Sequence, residues 1–174
     1  FEKLDGFIRT KNLKPVKLVN THGHFDHIFG VEICREAYNL RWEANDGDNV
    51  WIEEVQERAN IFGLRVSPVA LPDYILNDGD EVHFGNSTFK VLSVPGHSPG
   101  SICFYNEKSQ IVITGDVLFN GSIGRTDLHG GHYETLISGI KEKLLTLPND
   151  VIVYPGHGPA TTIGDERALN PYLK

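Results

Sequence analysis

Seven side chains have the types and the spacing of a metal centre. Four of them fall within residues 21–27, and the other three follow one at a time along the chain. The seven are His22, His24, Asp26, His27, His97, Asp116 and His157. A structural zinc site needs four ligands and is usually rich in thiolate, so five imidazoles and two carboxylates exceed what one ion requires. The set favours two divalent ions that share a ligand and keep positions open for water, which is a catalytic arrangement.

The donor types also bear on the metal and on the substrate. Histidine and aspartate bind zinc, iron or manganese, so we expect two divalent ions, with zinc as the first choice and iron or manganese as alternatives. Water on such an ion can reach a pKa of about 7, which provides a nucleophile without a Ser, Cys or His base. Two divalent ions outweigh the two carboxylates by roughly two charges, so the centre should attract an anionic substrate.

Each donor segment follows a run of strand-forming residues that ends in a Gly or Pro turn, where a scaffold presents functional side chains. Alternation and apolar runs predict strands at residues 16–20, 40–43, 81–84, 88–94, 102–105, 110–114 and 151–154. Helical periodicity predicts helices at residues 28–38, 48–63 and 133–147, with Asp48 as the N-cap of the second. Because helices occur early and late while the middle reads as an antiparallel meander, we predict an α/β fold with mixed sheets.

Composition limits the function classes. The 174 residues suit one domain over residues 1–174, and 40% apolar residues can build its core. The formal net charge of -7, with no cluster of Lys or Arg, argues against nucleic acid and anionic membranes as partners. No apolar stretch approaches the roughly 20 residues that span a bilayer. Cys34 and Cys103 lack C-x-x-C spacing, which predicts two buried free thiols in a reducing, cytoplasmic compartment, with a single disulfide as the alternative.

The order of these motifs resembles a known family. The H-x-H-x-D-H run, the Pro-Gly-His after a strand, the Gly-Asp and the final Gly-His are similar, in this order, to the metallo-β-lactamase fold superfamily. Within it, the chain resembles the short bacterial glyoxalase II-like hydrolases at residues 115–119, 121–127 and 155–164. The resemblance implies an αββα four-layer sandwich of two mixed β-sheets. Family members normally begin with a few tens of further residues, so we expect the first strands of the N-terminal sheet to be missing from this chain.

The resemblance also implies a role for each donor. One metal would be bound by His22, His24 and His97, and the second by Asp26, His27 and His157. Asp116 would bridge the two metals together with a hydroxide that attacks the acyl carbonyl. The resemblance thus places both carboxylates, Asp26 and Asp116, at the catalytic centre.

The resemblance and the chemistry favour a thioesterase that cleaves S-acyl glutathione or a related small thioester. No candidate general acid stands out in the sequence, and a thiolate leaves without protonation more readily than an amine does. Arg125 stands where the glyoxalase family places a basic residue that meets a substrate carboxylate, and bidentate carboxylate recognition suits arginine. The alternative role for Arg125 is to brace its loop. Asp127 is either a partner for a metal-bound imidazole or a cap of the same loop.

Two other functions remain open from the sequence. A mononuclear iron persulfide dioxygenase would use only His22, His97 and Asp116 as a facial triad. A non-catalytic family member would keep the metals only to stabilise its fold. The intact ligand set disfavours the second alternative, because a structural site does not need open positions.

Overall fold

The computed structural model describes all of residues 1–174 and contains eleven strands. In chain order they are β1 (Leu18–Val19), β2 (Trp42–Ala44), β3 (Tyr74–Ile75), β4 (Glu81–Phe84), β5 (Ser87–Ser93), β6 (Ile102–Asn106), β7 (Ile111–Gly115), β8 (Leu118–Phe119), β9 (Ser122–Ile123), β10 (Ile152–Pro155) and β11 (Thr161–Thr162). Strands β1, β2 and β3 form a small parallel sheet. A six-stranded mixed sheet has the order β11-β10-β7-β6-β5-β4, and β8 pairs with β9 in a hairpin.

Seven α-helices accompany the strands. They are α1 (Glu2–Thr10), α2 (Phe25–Ile28), α3 (Val31–Tyr38), α4 (Asn49–Glu53), α5 (Val55–Ile61), α6 (Tyr133–Gly139) and α7 (Ile163–Leu169). A 3-10 turn, Asp46–Asp48, precedes α4, and a π-helical turn, Ile140–Leu144, continues α6. None of these helices has the length and apolar character needed to cross a lipid bilayer.

Three apolar clusters define the layers of the fold. Ile28, Ile52 and Val55 pack with Trp42 of β2, which places the early helices on the small sheet. A second cluster joins Val19 of β1 to the inner face of the six-stranded sheet, at residues such as Val82, Phe89, Val91, Ile102 and Phe104. The third cluster packs α6, its π-helical turn and α7 on the outer face, where Cys103, Val112 and Val153 point. The result is the predicted αββα sandwich, because each sheet buries one face against helices and the other against its neighbour.

The strand directions explain how the donor segments meet. Strand β6 is antiparallel to both β5 and β7, and β10 is parallel to β7. The C-terminal ends of β5, β7 and β10 therefore lie at one edge of the six-stranded sheet. The carbonyl of Thr21, just after β1, accepts a 2.8 Å hydrogen bond from the amide of Ile102 at the start of β6. The segment after β1 is therefore brought to that same edge, and the prediction that each donor segment follows a strand is confirmed.

The predicted meander is confirmed, whereas the predicted helices are shorter than expected. The helix predicted at residues 28–38 is divided at Phe29 and Gly30, and its first turn, α2, begins inside the donor heptapeptide. The helix predicted at residues 48–63 is divided into α4 and α5. Helices α1 and α7, strands β3 and β11 and the β8-β9 hairpin have no counterpart among the predicted elements.

The prediction that the Asp48 side chain caps a helix is wrong. Asp48 does stand at the N-cap of α4, but its side chain makes no capping hydrogen bond. The carboxylate is turned to partners elsewhere in the fold, which satisfy it in place of the helix amides. Cys34 and Cys103 are both buried and free, which confirms the predicted thiols.

Candidate metal centre

The four donor segments meet at one edge of the six-stranded sheet, and all seven predicted donors come together. Their ligand atoms form three overlapping groups, and within each group the atoms lie within 4.8 Å of one another. The groups are His22, His24 and His97; His22, His27 and Asp116; and Asp26, His27 and His157. The first group is buried, whereas the side chain of His157 is 58% exposed. The centre therefore has a closed inner side and an outer side that faces solvent.

Asp116 lies between the inner and outer donors. Its Oδ1 is 3.4 Å from Nε2 of His27, and its Oδ2 is 3.7 Å from Nε2 of His97 and 3.6 Å from Nε2 of His157. On the outer side, Nε2 of His157 is 3.1 Å from Oδ2 of Asp26 and 3.2 Å from Nε2 of His27. One carboxylate therefore reaches donors of both groups, as a bridging ligand must.

Several of these atoms are buried and have no hydrogen-bond partner. They are Nε2 of His22, His24 and His97, and Oδ1 of Asp116. A buried polar atom without a partner costs free energy, and such atoms in a folded protein call for an explanation. Three imidazole nitrogens and a carboxylate oxygen that converge in this way fit divalent metal ions. The residues present therefore suit the two divalent ions that the sequence predicts.

Burial decides which imidazoles stay neutral. It lowers the pKa of His22 well below 6.5, that of His24 to about 3 and that of His97 below 6.5. For His27 burial acts in the same direction, but the negative charge of the Asp116 carboxylate, whose Oδ1 lies 3.4 Å from Nε2, outweighs it and raises the pKa. Because a metal binds the neutral imidazole, the three inner histidines are ready to bind at neutral pH, and protons compete more strongly at His27.

Two of the inner imidazoles have an oxygen atom within hydrogen-bond distance of Nδ1, the ring nitrogen on the side away from the centre. Nδ1 of His97 is 2.8 Å from the carbonyl oxygen of Arg125, and Nδ1 of His22 is 3.1 Å from Oγ1 of Thr21. An Nδ1-H that donates to an oxygen leaves Nε2 free for a metal and sets the orientation of the ring. The loop that carries Arg125 thus contributes to the site through its backbone.

Two glycines let the backbone pass close to the ligands. A Cβ at Gly156 would lie 2.8 Å from Cε1 of His27 and closer still to Oδ1 of Asp116. A Cβ at Gly124 would lie 3.0 Å from Cγ of His97 and would also collide with the carbonyl oxygen of Asp116. Side chains at these positions would displace the donors, which accounts for glycine there.

An aromatic and cationic wall borders the centre. The Trp51 ring packs edge-on against His24 with 4.3 Å between ring centroids. The guanidinium carbon of Arg58 lies 3.5 Å from the centroid of the Trp51 ring, and Arg58 also pairs with Glu54. The stacked guanidinium adds positive charge beside the donor cluster. The sequence prediction missed Trp51 and Arg58, because helical spacing alone does not distinguish a residue that borders the site from a residue of the apolar core.

The exposed loop after β9 forms an ion pair of its own. Arg125 donates from its Nε to Oδ1 of Asp127 at 2.7 Å and from an Nη to Oδ2 at 2.8 Å. These hydrogen bonds lower the pKa of Asp127 to about 2. Asp127 therefore contacts Arg125 in this structure, and the imidazole of His97 is held by the Arg125 carbonyl oxygen instead.

Comparisons with known proteins identify related sequences and structures. The family model of the metallo-β-lactamase superfamily matches residues 3–157. Hydroxyacylglutathione hydrolase GloC of Haemophilus influenzae is 42% identical over 174 residues, which cover 99% of this chain and 82% of that protein.

Two solved structures share the fold closely. The di-iron-bound form of TTHA1623 has a TM-score of 0.92 and 40% identity, over 99% of this chain and 84% of that one. The BLEG-1 B3 metallo-β-lactamase has a TM-score of 0.91 and 37% identity, over 99% of this chain and 83% of that one. These similarities support a metal-dependent hydrolase.

Proposed function

This chain belongs to the metallo-β-lactamase superfamily, and from that premise we propose that it is a glyoxalase II-like thioesterase that hydrolyses S-acyl glutathione or a related small thioester. The observation that carries the proposal is the convergence of seven donors on one centre, with four donor atoms buried and unpartnered. The similarity to a hydroxyacylglutathione hydrolase supports the thioester as the substrate class.

The side chains hold and orient the reacting centre. Two bound divalent ions would supply a nucleophile from water at neutral pH and would polarise the acyl carbonyl. His22, His24 and His97 are the buried, neutral donors of the inner group. The outer group contains the exposed His157 and faces solvent, so a substrate can approach the centre from that side.

Two arginines on segments that border the centre suit an anionic substrate. Arg125 is exposed on the loop after β9 and already forms a bidentate pair with the carboxylate of Asp127. We propose that a substrate carboxylate takes the place of Asp127 in this pair, since the same fork of donors fits either carboxylate. The guanidinium of Arg58, stacked on Trp51 beside His24, adds to the positive potential.

The leaving group decides between a thioester and an amide. If the seven clustered side chains all bind metal, none of them is free to protonate a leaving amine. A thiolate needs no such proton, whereas an amine does. The site is therefore better suited to C–S than to C–N cleavage.

The test is a substrate panel on the metal-loaded protein. S-lactoylglutathione, a neutral S-acyl thioester and a β-lactam are assayed side by side, and oxygen uptake is followed with glutathione persulfide. We expect rapid hydrolysis of the anionic thioester, slower hydrolysis of the neutral one, and no oxygen uptake.

Each other outcome identifies a different function. Oxygen uptake on the persulfide without thioester turnover would indicate the iron dioxygenase, and turnover of the β-lactam alone would indicate a lactamase. If the metal-loaded protein turned over none of these substrates, the thioesterase proposal would fail and the non-catalytic alternative would gain support.

A further inference from the structure

Asp48 is a buried carboxylate that contacts two of the metal-binding loops and none of the seven donors. It is 1% exposed. Its Oδ2 accepts hydrogen bonds from the amide of Gly23 and from the hydroxyl of Ser98, both at 2.7 Å, and its Oδ1 accepts one from the amide of Gly100 at 2.7 Å. Both oxygens are therefore satisfied by groups that belong to other segments of the chain.

The partners of Asp48 flank the three histidines of the inner group. Gly23 lies between His22 and His24, and Ser98 directly follows His97. The first loop leaves the small sheet after β1, and the second leaves the six-stranded sheet after β5. One carboxylate thus joins the two loops, from different sheets, that must keep a fixed separation if the three imidazoles are to share one metal.

Close packing around Asp48 shows that the arrangement is tight. A Cβ at Gly23 would lie 2.7 Å from Cβ of Asp48, and a Cβ at Gly100 would lie 2.7 Å from the amide nitrogen of Asp48. At Gly47, a Cβ would lie 2.9 Å from the amide nitrogen of Gly100. The loops can approach the carboxylate only because these positions are glycines, so there is little room for them to shift.

We propose that Asp48 is a positioning residue that sets the separation of the His22-His24 loop and the His97 loop, and thereby the affinity of the inner group for its metal. This inference rests on the metal centre of the proposed function but is independent of the substrate. Hydrogen bonds to a carboxylate are stronger than those to a neutral acceptor, and groups that orient ligands typically change metal affinity by about 10- to 100-fold when they are replaced.

The central variant is Asp48→Asn, which keeps the size of the side chain. Asn has one acceptor oxygen where Asp has two. The NH2 group of the amide must therefore face at least one of the N-H or O-H groups that now donate to Asp48. We expect zinc affinity, measured by competition with a chelator, to fall by about 10- to 100-fold. The cobalt-substituted protein should show shifted visible absorption bands, because the three inner nitrogens no longer meet at the same distances.

Glu166→Gln is the matched control. Glu166 is 2% exposed and likewise accepts bonds from a backbone amide, a hydroxyl and a side-chain amide, those of Gly121, Thr161 and Asn170. It touches neither of the two histidine loops. We expect Glu166→Gln to lower thermal stability about as much as Asp48→Asn does, but to keep the zinc affinity and the cobalt spectrum of the wild type.

Ser98→Ala tests the same link by a milder change. It removes the hydroxyl that donates to Asp48 and that also lies 2.8 Å from Oγ of Ser101, and it leaves the carboxylate and both glycine contacts in place. The loss of the hydrogen bond to Asp48 predicts a drop in zinc affinity of about five-fold. This variant decides the question if Asp48→Asn does not fold.

The outcomes separate the positioning role from the proposed function. If Asp48→Asn and Ser98→Ala bind zinc as Glu166→Gln does, with an unchanged cobalt spectrum, Asp48 has only a structural role and the inference is wrong. If the wild-type protein binds no metal, both the inference and the proposed function fail. If the wild type binds two metals but hydrolyses no thioester, only the proposed function fails.

Discussion

Replacing Gly156 by alanine should remove a metal without unfolding the protein. The backbone at Gly156 does not have the positive φ that only glycine adopts easily, so alanine meets no backbone penalty there. Its Cβ would, however, lie 2.8 Å from Cε1 of His27 and closer still to Oδ1 of Asp116. The perturbation is therefore directed at two donors.

The magnitude follows from the distances. Ordinary van der Waals contact begins at 3.4 Å, so the His27 ring must retreat by at least about 0.6 Å, and the Asp116 carboxylate by more. Ligand distances in metal sites tolerate only about ±0.2 Å, so at least one donor is lost. We expect metal affinity at the outer group to fall by more than about 100-fold, the upper end for residues that merely orient ligands. Overpacking should cost the metal-free protein about 1–3 kcal/mol of its free energy of unfolding.

Gly158→Ala is the control on the other side of His157. Gly158 has φ +79 and nothing within 4 Å of its Cβ position. Alanine there should cost about 1–2 kcal/mol through backbone strain alone and should leave the donors in place. The two variants thus have similar stability but different predicted metal content.

The assay measures metal content and affinity together with thermal unfolding of the metal-free proteins. Elemental analysis after gel filtration should find two metals per chain in the wild type and in Gly158→Ala, and at most one in Gly156→Ala. The reasoning is refuted if Gly156→Ala keeps two metals at wild-type affinity, or if Gly158→Ala loses as much metal at equal stability.

Three further predictions concern the same centre. Asp116→Ala should abolish thioester turnover and weaken binding of both metals, because its carboxylate reaches donors of both groups; retention of two metals at wild-type affinity would contradict the bridging role. Arg125→Ala should raise KM about ten-fold or more for an anionic thioester, since a bidentate charged pair is lost, and should change KM little for a neutral one; equal effects on both substrates would remove the carboxylate-binding role. When the pH is lowered from 8, metal content should fall from two to one before it falls to none, because the pKa of His27 is raised above 6.5 while that of His24 is lowered to about 3. Elemental analysis at each pH measures the metal content. Loss of both metals in a single step would contradict that order.

The donor types and their order were readable from the sequence because they are local. The run from His22 to His27 places four donors within six residues, and the other three each follow a strand and a turn. The antiparallel meander was readable for the same reason, since β4, β5, β6 and β7 pair with their neighbours in the chain. Residue types and short-range periodicity suffice for features of this kind.

Helix ends and short elements were harder to predict because packing decides them. The chain leaves the helical path at Phe29 and Gly30, and α2 holds Asp26 and His27 on one short turn. Helical periodicity runs across that break and cannot show it, because the apolar residues on both sides pack in one cluster. Strands of two residues, such as β8 and β9, are too short to produce any alternation.

The sequence alone determined which atoms can bind metal and that they stand at the ends of strands. Only the tertiary structure decided what holds them there: the Arg125 carbonyl behind His97, the gap at Gly156 that admits Asp116, and the carboxylate of Asp48 between two loops. The physical reason is distance along the chain. Asp48 lies 25 residues from Gly23 and 52 residues from Gly100, so their meeting depends on two sheets packing face to face, which no local pattern encodes.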